Sequence, residues 1–131
     1  MNKKDKGDFA ELRVASELIS SGWNVLFPYG EDNRYDLVAE KTGVFRRIQV
    51  KYVTPKNGAL DANCRSSNNW SVMSYTPEDI DILAVYDSIS TKIYFVPVGE
   101  INKNTFKLRL LATKNNQRQK IHLAEQYSEL S

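Results

Sequence analysis

With one cysteine, Cys64, and one histidine, His122, the 131-residue chain cannot build an intrachain disulfide framework, a multi-cysteine zinc site or histidine-rich metal chemistry. A lone thiol suits a reducing compartment. No apolar run approaches the length of a membrane span, and the basic start, Met1 to Asp8, passes into a helical pattern instead of the apolar stretch of a secretory signal. The expectation is a cytoplasmic protein with no membrane association. Neither sign of charge dominates: 18 Lys and Arg stand against 16 Asp and Glu, so the total of +2 does not diagnose a polyanionic partner and only its distribution can. Ser66 and Ser67 lack the glycine frame of a nucleophile elbow, which argues against serine hydrolysis. Internal repeats and low-complexity tracts are missing as well.

What is present is ordinary globular material. A hydrophobic fraction of 41% and a charged fraction of 26% describe one compact domain spanning residues 1–131. Leu12, Val14, Ala15, Leu18 and Ile19 recur at helical spacing over residues 8–21, with Asp8 as N-cap and Gly22 as the stop. Residues 23–27 read as a short buried strand closed by Pro28 and the polar stretch from Gly30 to Asn33. Residues 35–40 and 44–53 flank Lys41-Thr42-Gly43, which predicts an antiparallel hairpin. The stretch 54–74 shows no convincing period and reads as a loop with short strands or a flexible segment facing substrate. Thr76-Pro77-Glu78-Asp79 resembles a helix start followed only by a short turn, residues 82–86 and 93–98 read as strands, residues 106–110 alternate like a half-buried strand, and residues 119–130 suit a closing helix. The fold class expected is α/β (α+β), a mixed central sheet flanked by helices.

The hairpin concentrates chemistry. Residues two apart on a strand share a face, so Gln49 and Lys51 project together while Ile48, Val50 and Tyr52 project oppositely. A strand paired across the turn brings Asp36 within reach of the same polar face. Glu11 is the more informative acid: at about 100° per residue it falls within the apolar stripe of the first helix, where an uncompensated carboxylate costs several kcal/mol. A metal ion, or Lys51 beside Asp36, would satisfy it. A hard divalent ion such as Mg²⁺ needs oxygen ligands, which Asp36, Gln49 and the Val50 carbonyl can offer. Lys51 would orient an attacking water or offset developing negative charge.

Gly7-Asp8-Phe9-Ala10-Glu11, then Tyr35-Asp36-Leu37-Val38, then Ile48-Gln49-Val50-Lys51 resemble, in order and hairpin context, the motifs of the PD-(D/E)XK nuclease superfamily. The resemblance implies a restriction-endonuclease-like core in the order α-β-β-β-α-β. It implies Asp36 and Gln49 as metal-binding positions, Lys51 as the catalytic lysine, and Glu11 as the acid from the first helix. The chain is similar in particular to the group I intron homing endonucleases of this fold and their short bacterial and phage-like relatives, which also carry Gln in place of the usual acid. Residues 75–86 and the run Leu108-Arg109-Leu110 followed by Asn116-Gln117 extend that likeness over most of the chain. Tyr35 replaces the proline of the superfamily's name. Gln49 removes one negative charge from the metal site, which weakens ion binding relative to an acid.

The activity this implies is Mg²⁺-dependent hydrolysis of DNA phosphodiesters, with Mn²⁺ substituting. The partners implied are double-stranded or branched DNA and further copies of the chain in a homodimer or tetramer, since symmetry lets single sites address both strands. A Holliday-junction resolvase-like nuclease is the nearest enzymatic alternative, and a catalytically weak DNA-binding accessory module the alternative of another class. Arg46, Lys56, Arg65 and Trp70 are candidate nucleic-acid contacts, with Arg47, Lys107 and Arg109 as further cations, although isolated surface cations usually serve solubility. Trp23 reads as core, Trp70 as a stacking candidate, Cys64 as inert and His122, between Ile121 and Leu123, as packing.

Overall fold

A computed structural model describes residues 1–67, 72–74, 76–102, 104–111 and 121–131. The first element, α1, spans Lys3–Ser20 and so begins five residues before the expected Asp8. Asn2 is the cap: its side chain accepts from the Asp5 N–H at 2.8 Å, and Asp8 instead lies within the helix, paired with Lys4 at 2.9 Å. The C-terminus closes as a Schellman motif, with Trp23 N–H on the Leu18 carbonyl, Gly22 N–H on the Ile19 carbonyl, and Gly22 at φ +90° as the stop the sequence indicates. The buried stripe is Ala10, Val14, Ala15 and Leu18. Leu12 and Ile19, expected on it, are 64% and 61% exposed, because seven residues apart they share a line that faces away from the sheet.

The central sheet has the order β1 (Asn24–Leu26), β2 (Leu37–Lys41), β3 (Val44–Val53), β7 (Ile82–Asp87), β8 (Ile93–Pro97). Only β3 and β7 are parallel, so the sheet is mixed. The β2–β3 hairpin turns on Thr42 and Gly43, both at positive φ, the conformation of a two-residue hairpin turn. One face of the sheet packs on α1 through Leu37, Ala39, Ile48, Val50, Ile82 and Ala84. The other face, through Leu83, Val85 and Val96, packs on a second sheet of order β10 (His122–Leu123), β9 (Thr105–Arg109), β4 (Ala59–Asn63). Two cores thus sandwich β3 and β7. No helix of the described residues is long and apolar enough to cross a membrane.

The stretch 54–74 is a loop with short strands: Asn57-Gly58, both at positive φ, closes a tight turn through the Lys56–Ala59 bridge into β4, and β5 (Arg65–Ser67) pairs with β6 (Val72–Ser74). Only a short turn follows Thr76, as expected: the Asp79 carboxylate accepts from both the Thr76 N–H and its hydroxyl and folds the chain into a turn that enters β7. The closing helix is absent where residues are described: the chain forms β10 and a 3-10 turn, Ala124–Tyr127, held by Tyr127 donating to Glu100 at 2.6 Å. The α+β class stands, with α1 the one α-helix among the described residues instead of the two in the order α-β-β-β-α-β.

Candidate active site

The β2–β3 ladder ends at Leu37↔Ile48, and the last backbone bond on that side runs from Asp36 N–H to the Ile48 carbonyl at 2.8 Å. β3 continues for five residues beyond Ile48 with β7 on its other side. Val50 N–H, two residues on and pointing the same way, donates to Asp36 Oδ2 at 2.7 Å. In a strand the N–H and C=O of one residue point to the same side, so the Val50 carbonyl faces the edge that β2 has left. Asp36 is therefore fixed by one oxygen, keeping the other available, beside an open backbone acceptor.

Glu11 reaches this edge from α1, which lies antiparallel to β3: Lys6 of its first turns sits 5.6 Å from the Tyr52 ring, and Lys41, bonded to the Ser21 carbonyl at 3.2 Å, stands at its far end. Glu11 and Asp36 line one cleft of about 210 Å³ with Phe27, Pro28, Asn33 and Tyr35. Burial, and then the Asp36 charge, push the Glu11 carboxyl up to about 7. Burial also raises Asp36, against the opposing pull of the Val50 N–H and of Lys51. Lys51 moves the other way: burial lowers its ammonium, the neighbouring Lys3 adds to this, and Asp36 opposes it. Two half-buried carboxylates that repel each other fit a divalent cation better than they fit an empty cleft. Its oxygen donors would be Glu11, Asp36, the Val50 carbonyl and the amide of Gln49. Among the described residues no group of three His, Cys, Asp or Glu gathers as a cation site, so a third protein ligand here must be a carbonyl or an amide.

Gln49 and Lys51 lie on the face opposite Val50, paired with Leu83 and Val85. Lys51 faces the seam with the second sheet, where Cys64 is fully buried and within electrostatic reach. Asp36, Val50, Lys51 and Glu11 thus meet at one edge, and Gln49 flanks Val50 on the strand.

The candidate nucleic-acid contacts are dispersed. Arg46 lies on the face opposite Lys51, five residues back, with its Nε on the Ser131 carbonyl at 3.1 Å. Lys56 is exposed at the turn into β4, Arg65 begins β5, and Trp70 lies outside the described residues. Arg47 is committed to Asp81 and to the carbonyls of Pro77 and Glu78. Trp23 is core, as expected. A roomier cavity of about 380 Å³ lies at the other end of α1 among Glu17, Trp23, Lys41 and Leu130, but its cation is occupied by the Ser21 carbonyl and the Trp23 ring. Sequence reading missed the Phe27–Tyr29 loop on the cleft rim, whose signal was the large apolar side chains of Leu26, Phe27 and Tyr29 beside a polar turn.

A family model described as PD-(D/E)XK endonuclease matches residues 1–130. Protein 5.3 of Escherichia phage T7 is 32% identical over 80 residues, 60% of this chain and 68% of that protein. The structure of a bacterial homing endonuclease, I-Ssp6803I, superposes with a TM-score of 0.74 at 26% identity, covering 97% of this chain and 88% of the other. Hjc, a Holliday junction resolvase from Archaeoglobus fulgidus, gives a TM-score of 0.47 at 16% identity over 79% of this chain and 84% of its own.

Proposed function

The chain belongs to the PD-(D/E)XK endonuclease family, and we propose that it is a metal-dependent DNA endonuclease acting on duplex or branched DNA, of the homing type named for its structural neighbour. The observation that carries this is the pinning of Asp36 by Val50 N–H at the edge where β2 stops, with Glu11 in the same cleft. Mg²⁺, or Mn²⁺ in its place, would be held by Asp36, the Val50 carbonyl, Gln49 and Glu11. When bound, such an ion supplies Lewis-acid polarisation of the phosphate and a more acidic water.

The protein's own groups do the rest. Asp36 keeps its orientation because its second oxygen is tied to backbone. Glu11, whose carboxyl is raised by burial and by the Asp36 charge in the ion-free cleft, would give up its proton on joining the ligands of the ion. Lys51, its ammonium made easier to deprotonate by burial, orients the attacking water and faces the charge that develops on the phosphate. Lys3 and Lys6 at the start of α1 add positive charge on the Lys51 side for a DNA backbone, and Arg46, Lys56, Arg65 and Trp70 are further candidate contacts. Two copies, as a homodimer or within a tetramer, would present one site to each strand.

A resolvase-like nuclease shares all of this and differs in substrate. The accessory-module reading rests on Gln49, whose neutral amide attracts a cation less than a carboxylate does. Cleavage of plasmid and four-way-junction DNA with Mg²⁺ or Mn²⁺, comparing the parent with Asp36→Ala and Lys51→Ala, tests the proposal. Cutting by the parent and a fall of at least about 100-fold in both variants are expected. Binding without cutting in the parent would favour the module.

A further inference from the structure

Leu26, Phe27 and Tyr29 place three large apolar side chains in water within four residues, at 46%, 54% and 105% exposure. They end β1 and begin the loop to β2, whose Phe27, Pro28 and Gly30 wall the cleft of Glu11 and Asp36. The loop is anchored on both sides of Tyr29: Leu26 pairs with Val38 in the sheet, and Arg34 bridges to Asp79 at 3.5 Å before Asp36 joins Ile48. The Tyr29 ring is thus held out from the rim by backbone anchored on both sides, and nothing among the described residues covers it.

We propose that Tyr29 stacks on a nucleobase of the DNA held in the adjoining cleft, a contact that rests on the endonuclease reading above and assigns its rim a substrate-reading role. Charge decides which part of the DNA the ring meets. Glu31 and Asp32 lie two and three residues after Tyr29, and the next basic residue, Arg34, is bridged to Asp79. A phosphate brought to this loop would face two carboxylates, whereas the π-face of a base meets the ring without that repulsion. The contact therefore carries base or shape discrimination beside the cut, while phosphates run past the lysines on the Lys51 side.

The experiment measures DNA binding by fluorescence anisotropy in an Asp36→Ala background, using a labelled random-sequence duplex and a labelled four-way junction across a salt titration. Tyr29→Ala is expected to weaken binding by about 5- to 100-fold, the range of one lost base–aromatic stack, and Tyr29→Phe to bind like the background chain. The slope of log K against log salt stays unchanged, because no phosphate contact is lost. Binding by Tyr29→Ala equal to the background, or a loss accompanied by a shallower slope, would overturn the inference. So would a change in sedimentation of the DNA-free Tyr29→Ala chain, which would place the ring between copies. Failure of the background chain to bind either DNA would instead sink the endonuclease reading itself. The ring is fully exposed, so an unchanged melting temperature accompanies every expected outcome.

Discussion

Replacing Arg47 by alanine removes four side-chain hydrogen bonds at once: Nε and Nη2 to the two oxygens of Asp81 at 3.1 Å each, Nη1 to the Glu78 carbonyl at 2.7 Å, and Nη2 to the Pro77 carbonyl at 2.8 Å. Backbone joins in, since Arg47 N–H also donates to Asp81 Oδ2 and Asp81 N–H to the Arg47 carbonyl. The clamp thereby fastens β3 to the turn before β7, four residues from Lys51. Both side chains are about a third exposed, at 33% and 35%, so water screens the pair and each charged bond is worth well under its buried value. At roughly 0.5–0.8 kcal/mol per bond, Arg47→Ala should cost about 2–3 kcal/mol in urea unfolding. Arg47 holds the Asp81 carboxyl below the usual carboxylate range. A depressed acid stabilises the fold above its unfolded pKa and loses that contribution as pH falls through the folded value. The gap between parent and Arg47→Ala should accordingly be flat from about pH 8 to pH 5 and shrink below about pH 4. DNA affinity gives the second readout: a guanidinium already committed to four acceptors makes no phosphate contact, so the salt slope of binding stays at the parent value. A gap below about 0.5 kcal/mol, the range of an ordinary surface substitution, or a slope reduced by about one, would refute the clamp and return Arg47 to the DNA interface.

Glu11→Gln removes a half-buried carboxylate that faces Asp36 in the absence of metal. Because that carboxyl is raised to about 7, its penalty is present above that pH and disappears below the ordinary carboxylate range. In EDTA at about pH 8 the variant should gain about 1–2 kcal/mol by urea unfolding, with little gain near pH 4, while metal-dependent cleavage falls at least about tenfold; a loss of stability at the higher pH would contradict the repulsion. Gln49→Glu restores a charge to the ion site, so half-maximal cleavage should need about tenfold less Mg²⁺. An unchanged metal requirement would remove Gln49 from the ligand set, and cutting gained where the parent shows none would favour the accessory-module reading.

The β2–β3 hairpin was legible because both of its signals agree: alternation fixes the face of Gln49 and Lys51, and Thr42-Gly43 supplies the positive-φ pair. The same chemistry at Asn57-Gly58 opens β4 and went unread, since Asn, Ser and Gly elsewhere in the stretch 54–74 look equally like loop. Thr76-Pro77-Glu78-Asp79 carries every local mark of a helix start, yet the next residues must enter β7 beside β3, and tertiary pairing overrides the propensity. Glu11 was legible as an acid out of place on an apolar stripe, whereas Leu12 and Ile19 were misassigned because composition does not show which of two apolar lines the sheet covers. Arg46 and Arg47 look alike as neighbours. Strand parity sends one toward the chain end and the other into the clamp, a distinction that depends on where residues 77–81 fold.

The contact between Asp36 and Val50 N–H was beyond sequence reading, because it depends on where a ladder stops, and no residue type marks that point. Had β2 begun two residues earlier, its backbone would have taken both the N–H and the carbonyl of Val50, and neither would face the cleft. The loop of residues 27–36 enters the sheet late enough to leave that edge open, and the Asp36 side chain takes the place of the missing strand backbone. Glu11 then faces a carboxylate that cannot turn away, since turning would strand a buried N–H at a cost of about 1–3 kcal/mol. The repulsion between the two acids is thus built in by the sheet, and an ion bridging them would relieve it without any movement of the backbone.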